Sequence, residues 1–165
     1  MKTILLIRHA KAEWSGKDGS DFSRALSNSG IQEAASISEQ LINKQYQLDV
    51  IICSAALRTI QTANIIGKAL SIPDANIIYS DKLYQADANT IEQVVQSLRD
   101  ENNSIAVIAH NPGITDYVNR LIPDTQIDFM PTCGVFAVQS NCVHWKDFPV
   151  SEKTFRFICF PKLAI

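Results

Sequence analysis

The sequence predicts an α/β fold: a three-layer α-β-α sandwich with a mainly parallel central sheet and antiparallel C-terminal strands. Three short apolar runs carry this reading, Ile4-Leu5-Leu6-Ile7, Val50-Ile51-Ile52-Cys53 and Ile105-Ala106-Val107-Ile108-Ala109, each followed by a helical pattern. Runs of four or five residues rich in Ile and Val read as buried strands, and strand–helix repeats favour parallel pairing. Strands joined in this way point in one direction. Their C-terminal ends then share one edge of the sheet, where open α/β folds place their ligand crevice. The first run stops on Arg8-His9, the second on Ser54 with Arg58 close behind, and the third on His110-Asn111-Pro112-Gly113.

Taken in order, the first strand is expected over 2–8. The polar segment 12–28, with Trp14, Gly16, Asp18, Gly19, Asp21 and Arg24, has the composition of an ordered loop and overhangs the crevice. Arg24 is a candidate for an additional anion contact, or for a salt bridge to Asp18 or Asp21 that ties the loop down. A helix follows over 29–44, with Ile31, Ala34, Ala35, Leu41 and Ile42 on its apolar stripe and Ser29-Gly30-Ile31-Gln32 as a capping box. The second strand, 49–53, leads to Ser54 as N-cap of a helix reaching Leu70. Arg58 falls in its first turn, where a cation opposes the helix dipole unless an anion shares the site.

Residues 76–79 add a short strand. A loop with Leu83-Tyr84-Gln85-Ala86-Asp87 precedes a helix over 90–101, begun by the capping box Thr90-Ile91-Glu92-Gln93. The strand 104–110 ends on His110. Asn111 as cap and Pro112 at the first helical position then start a helix to Leu121. The C-terminal portion reads as strands over 134–139 and 154–160, with a short third around 143–145, placed to close the sheet by antiparallel pairing. His144 lies far from the strand-end residues and is read as a surface or edge residue.

The totals restrict the function. A chain of 165 residues with 46% hydrophobic and 19% charged residues suits one domain, 1–165, with one core. With a net charge of −2 and no basic stripe interleaved with aromatics, nucleic acid is not an expected partner. Only Ile4 to Ile7 are apolar before Arg8, too few for a signal-peptide core or a membrane span, so no membrane partner and a cytoplasmic setting are expected. Cysteines at 53, 133, 142 and 159 and histidines at 9, 110 and 144 match no common zinc spacing; reduced thiols are expected.

Paired guanidinium groups match the oxygens of a phosphate and stay charged at any working pH. A neutral imidazole can attack phosphorus and form a covalent intermediate that water later cleaves. Neighbouring arginines hinder its protonation, and a second histidine that is protonated or donates a hydrogen bond can stabilise the equatorial oxygens. This chemistry needs no metal or other cofactor, and the chain has neither a G-x-x-x-x-G-K loop nor a clustered acidic motif.

The residues resemble the histidine phosphatase superfamily, which includes the cofactor-dependent phosphoglycerate mutases. The resemblance lies in Leu6-Ile7-Arg8-His9-Ala10, in Ser54-Ala55-Ala56-Leu57-Arg58-Thr59 with Gln61-Thr62-Ala63, and in Ala109-His110-Asn111-Pro112-Gly113. Within it the chain looks most like the short SixA-type phosphohistidine phosphatases, through Arg8-His9-Ala10-Lys11, Asp21 with Arg24-Ala25-Leu26-Ser27 and Gly30, and Met130-Pro131-Thr132. The resemblance implies a phosphoglycerate mutase-like fold, His9 as phosphoryl acceptor, Arg8 and Arg58 as phosphate ligands, and His110 completing the pocket. Whether Arg24 and Asn111 also touch phosphate stays open.

Many superfamily members carry a glutamate as proton donor where this chain has Gln85, which cannot donate that proton. Asp87 or Glu92 could substitute. Alternatively the leaving group needs little acid, as an imidazole does. The missing carboxylate, together with the few residues available for a lid, favours a phosphohistidine-containing protein as substrate. A small phosphate ester or phosphoglycerate is the second reading, and a non-catalytic module binding phosphate or another oxyanion is the third.

Overall fold

A computed structural model describes residues 1–162 of the chain. Six strands, β1 (Lys2–Arg8), β2 (Val50–Ser54), β3 (Ile77–Ser80), β4 (Ser104–Ala109), β5 (Val135–Ser140) and β6 (Lys153–Cys159), form one sheet in the order β3-β2-β4-β1-β5-β6. The pairs β3–β2, β2–β4 and β4–β1 are parallel, whereas β1–β5 and β5–β6 are antiparallel. The expected mixed sheet is therefore present, with its antiparallel part at the C-terminus.

The apolar runs alternate in the side to which they pack, as strands buried on both faces must. Ile4, Leu6, Val50, Ile52, Ile105 and Val107 join one core with Ile91 and Val95 of α3 (Ala88–Gln96) and Ile114, Tyr117 and Val118 of α4 (Gly113–Leu121). Leu5, Ile7, Ile51, Cys53, Ala106 and Ile108 join the other with Ala34, Ile37 and Leu41 of α1 (Asn28–Asn43) and Ala63 and Ile66 of α2 (Leu57–Ala69). Helices on both faces make the three layers. None of the helices among the described residues is long and apolar enough to cross a membrane.

Several helix starts differ from the sequence reading, and at α1 and α3 a nearby side chain takes the cap instead. Ser27, not Ser29, caps α1, accepting from the Gly30 amide at 3.1 Å. Asp87, not Thr90, caps α3, its carboxylate accepting from the Thr90 amide at 2.8 Å. That helix stops at Gln96 rather than continuing to Glu101, because the following turn serves another purpose. The carbonyls of Asp100 and Asn102 accept from the buried Lys2 ammonium, and the Asp100 carboxylate accepts from the Trp145 amide.

Ser54 ends β2 instead of capping α2, which begins after Ala56 without a side-chain cap. Asn111 does not cap α4, since its amide is used elsewhere. The short strand expected around 143–145 is absent; there Trp145 is fully buried, its indole donating to the Asn102 carbonyl at 2.8 Å, and the segment forms a loop and a 3-10 turn. His144 is exposed, 2.7 Å from Asp100. All four cysteines are free.

Two glycines allow the close approaches that shape the edge where the parallel strands end. A Cβ on Gly30 would lie 1.9 Å from the Lys11 carbonyl oxygen, and one on Gly113 would lie 1.9 Å from that of Ala86. The first brings α1 against the turn after His9, and the second brings α4 against the loop after β3.

Candidate active site

Register aligns the ends of the three parallel strands: Arg8 pairs with Ala109, and Cys53 with Ile108. His9 and His110 therefore leave the sheet side by side, with ring centroids 5.2 Å apart. The His9 backbone is secured on both sides, its amide donating to the Ala109 carbonyl at 3.2 Å and its carbonyl accepting from the Cys133 amide at 3.1 Å. The next amide, Ala10, donates to Thr62 Oγ1, and Thr62 Oγ1 donates to the Arg58 carbonyl. Strand β1 and helix α2 are thus tied together where the site forms.

The hydrogen bonds fix the state of both imidazoles. His9 Nδ1 lies 2.8 Å from the Ala10 carbonyl oxygen, which can only accept, so Nδ1 carries the proton and Nε2 presents its lone pair. Arg58 Nε donates to that lone pair at 3.3 Å. In His110 the assignment is reversed: Nδ1 accepts from Arg58 Nη2 at 3.2 Å, so Nε2 carries the hydrogen and donates to Ser54 Oγ at 2.8 Å. Burial is the main reason both rings stay neutral, with the arginines adding to it. His9 is 8% exposed and its pKa is lowered to about 3, first by desolvation and then by His110, Arg58 and Arg8, against the opposing Ala10 hydrogen bond. His110, 4% exposed, is lowered to about 4 by burial and then by Arg58. Burial thus outweighs the like-charge repulsion expected from the arginines.

Arg58, on the first turn of α2, is the hub. Besides both histidines it contacts Asp21, its Nη1 donating to the carbonyl at 2.7 Å and its Nη2 to Oδ2 at 3.0 Å. Asp21 also accepts from Tyr84 Oη at 2.9 Å and from Arg24 Nη1 at 2.9 Å. Partial burial opposes ionisation of Asp21, but the hydrogen bonds from Arg24, Tyr84 and Arg58 outweigh it and hold the carboxyl well below the usual range. Tyr84 in turn stands edge-on to His110 and to Phe22, with centroids 5.7 and 4.9 Å apart.

Arg8 is held from the opposite side. Its Nη1 donates to the Met130 carbonyl at 3.1 Å, its guanidinium lies 4.7 Å from the centre of the Phe129 ring, and its buried Nε has no protein partner. A buried donor without an acceptor is costly, and an anion oxygen would satisfy it. Asn111 supports this arrangement. Its Nδ2 donates to the same Met130 carbonyl at 2.9 Å, its Oδ1 accepts from Thr115 Oγ1 at 2.7 Å, and Thr115 Oγ1 accepts from the Met130 amide at 3.0 Å.

Arg8, His9, Arg58 and His110 thus stand together, as the strand ends suggested. Arg24 has its Nε on the Glu13 carbonyl and Nη1 on Asp21, the loop-tying arrangement. Gln85 is exposed and donates weakly to Tyr84 Oη at 3.4 Å. Asp87 is occupied as a helix cap, and Glu92 faces Arg120 at 3.6 Å between α3 and α4. Sequence reasoning assigned no site role to Asp21, Tyr84, Ser54 or Glu33. Glu33 is a buried carboxylate on α1 that accepts from the Lys11 amide at 2.8 Å and from Thr132 Oγ1 at 2.9 Å, bracing the turn beyond His9. For Asp21 a signal existed, a carboxylate three residues before Arg24 in a loop leaving β1. For Glu33 there was none: the stripe expected through Ile31, Ala35 and Ile42 is exposed, and the buried face of α1 runs instead through Gly30, Glu33, Ala34, Ile37 and Leu41.

Two buried, neutral imidazoles beside two arginines, at the end of the parallel strands of an α/β sheet, define a class of site whose chemistry suits an oxyanionic group. Residues 4–112 match the family model of the histidine phosphatase superfamily, branch 1, and the chain belongs to that family; it is a phosphatase of that superfamily. It is 24% identical to the phosphohistidine phosphatase SixA of Escherichia coli over 156 residues, covering 91% of this chain and 96% of that one. A structure of the protein histidine phosphatase SixA complexed with tungstate superposes with a TM-score of 0.81 at 22% identity, covering 96% and 97% of the two chains. A shorter likeness, 32% over 78 residues, links it to the 2,3-bisphosphoglycerate-dependent phosphoglycerate mutase of Zymomonas mobilis, covering 44% of this chain and 34% of that one.

Proposed function

We propose that this protein is a metal-independent phosphatase that removes the phosphoryl group from phosphohistidine on a cytoplasmic protein, through a phospho-His9 intermediate. The observation that carries the reading is the fixed tautomer of His9. With Nδ1–H spent on the Ala10 carbonyl and the ring neutral, Nε2 faces the arginines as a nucleophile at any pH well above 3.

In the first step Nε2 forms a bond to phosphorus as the bond to the substrate imidazole breaks; the departing imidazole takes a proton from solvent. Arg8 and Arg58 hold the phosphoryl oxygens, and Arg58 moves its Nε–H from the His9 lone pair to one of them. In the second step water attacks phosphorus and gives up a proton to solvent, the P–Nε2 bond breaks with its electron pair returning to Nε2, and phosphate leaves with His9 restored. His110, with its hydrogen on Nε2 and Arg58 on Nδ1, keeps the guanidinium aligned. Asn111 supports Arg8 through Met130, and Arg24 supports Arg58 through Asp21.

The choice of phosphohistidine rests on the missing acid. An alkoxide leaving group needs a proton donor, and Gln85 has none to give, while Asp87 and Glu92 are engaged in a helix cap and an ion pair. A small phosphate ester is the competing substrate, favoured by the partial likeness to phosphoglycerate mutase.

The test measures phosphate release from a phosphohistidine protein and from an alkyl phosphate ester, 3-phosphoglycerate, in the presence of EDTA. Release from phosphohistidine should be fast and fall by at least about a thousandfold in His9→Ala. Undiminished release by His9→Ala would refute the mechanism, and a preference for the ester would refute the substrate.

A further inference from the structure

Resting on the reading that Arg58 holds the transferring phosphoryl group, we propose that Asp21 is a positioning residue that limits how tightly the pocket keeps phosphate. It does so by sharing the Arg58 cation with the bound anion. Arg58 has five N–H donors. One meets His9 Nε2, one meets His110 Nδ1, and Asp21 takes two more, through its carbonyl at 2.7 Å and its carboxylate at 3.0 Å.

The carboxylate cannot easily turn away when a phosphoryl group arrives. Tyr84 holds Oδ2 and Arg24 holds Oδ1, each at 2.9 Å. Both partners would leave it ionised, and its carboxyl is held well below the usual range. Two anions on one guanidinium repel, and because Arg58 is only 4% exposed the solvent screens that repulsion poorly on its side. Product phosphate and the phosphoryl group of the substrate carry similar charge near neutral pH, so the repulsion loosens the hold on both. Without Asp21, the buried Arg58 and the half-buried Arg8 would hold product strongly, and its departure would limit turnover.

This role has the opposite sign from a structural one. If Asp21 merely keeps Arg58 in place, removing its charge lets the guanidinium drift and weakens anion binding. If it competes for Arg58, removing its charge strengthens binding. Asp21→Asn keeps the size and one acceptor oxygen, and Asp21→Ser removes the charge by a different side chain.

The experiment titrates inorganic phosphate and tungstate into wild type, Asp21→Asn, Asp21→Ser and Arg58→Ala by calorimetry, and measures phosphate inhibition of turnover. Both Asp21 variants are expected to bind phosphate about tenfold more tightly than wild type, with a lower kcat and a pre-steady-state burst. Unchanged or weaker binding in either variant overturns the proposal while leaving the role of Arg58 intact, provided Arg58→Ala loses binding. Full binding by Arg58→Ala would overturn both.

Discussion

Acidification from pH 7 to pH 5 should destabilise this fold by about 4 kcal/mol through two residues. His9 and His110 have native pKa values lowered from 6.5 to about 3 and about 4. In this window the unfolded chain takes up protons on both side chains while the native state takes up almost none, so stability falls as pH falls. At pH 5 each unfolded imidazole lies 1.5 units below its ordinary pKa, and at about 1.4 kcal/mol per unit each contributes about 2 kcal/mol. A total of about 4 kcal/mol is a large part of the 5–15 kcal/mol typical of a domain. The carboxylates held below their ordinary range, Asp21 and Asp87 among them, lose their contribution only as pH drops below about 4, outside the window. Urea unfolding of wild type and of a His9→Asn, His110→Asn double variant at pH 7 and pH 5 isolates the effect, because His144 is present in both. Wild type should lose about 4 kcal/mol and the double variant about 1 or less. A wild-type loss below about 1 kcal/mol would show that these histidines titrate normally when folded, and would remove the basis for a neutral nucleophile.

The same ionisation predicts that turnover, followed over pH 3.5–7 by phosphate release, keeps its acid limb near 4 rather than falling off at 6.5. Gly113→Ala places a Cβ 1.9 Å from the Ala86 oxygen and should cost about 1–3 kcal/mol in thermal unfolding, with Gly30→Ala behaving alike against Lys11. Asp87→Ala removes the α3 cap and should lower stability by about 1 kcal/mol while leaving phosphohistidine turnover within about twofold, whereas a hundredfold loss would identify Asp87 as the proton donor. Asn111→Ala frees the Met130 carbonyl and should raise KM for substrate by about tenfold through Arg8, with little change in stability below about 2 kcal/mol.

The sheet and the four residues at its edge were legible because their signals are local. An apolar run that stops on Arg8-His9 or His110 states both the strand and what hangs from its end. What stayed hidden depends on distant contacts. Ser54, Asn111 and Thr90 each have the chemistry of a helix cap, yet His110 claims the first, Met130 the second, and Asp87 displaces the third. The strand expected near 143–145 gave way because burying Trp145 outweighs local β propensity. Asp21 illustrates the general difficulty. Its spacing in the loop points to Arg24, which it does meet, but nothing local points to Arg58, 37 residues away, which only folding brings near.

The place of β1 in the sheet has a consequence for how the chain is made. It precedes every other strand of the sheet in the chain, yet both of its neighbours come late: Thr3 pairs with Ser104, and Lys2 with Ser140. Closing such long loops is slow, and a ribosome-bound chain lacking β4 and β5 has no native partner for its first apolar segment. His9, at the end of that strand, can therefore reach its native surroundings only once β4 and β5 are available, and a fragment ending before about residue 140 would leave an apolar segment unpaired and prone to aggregate.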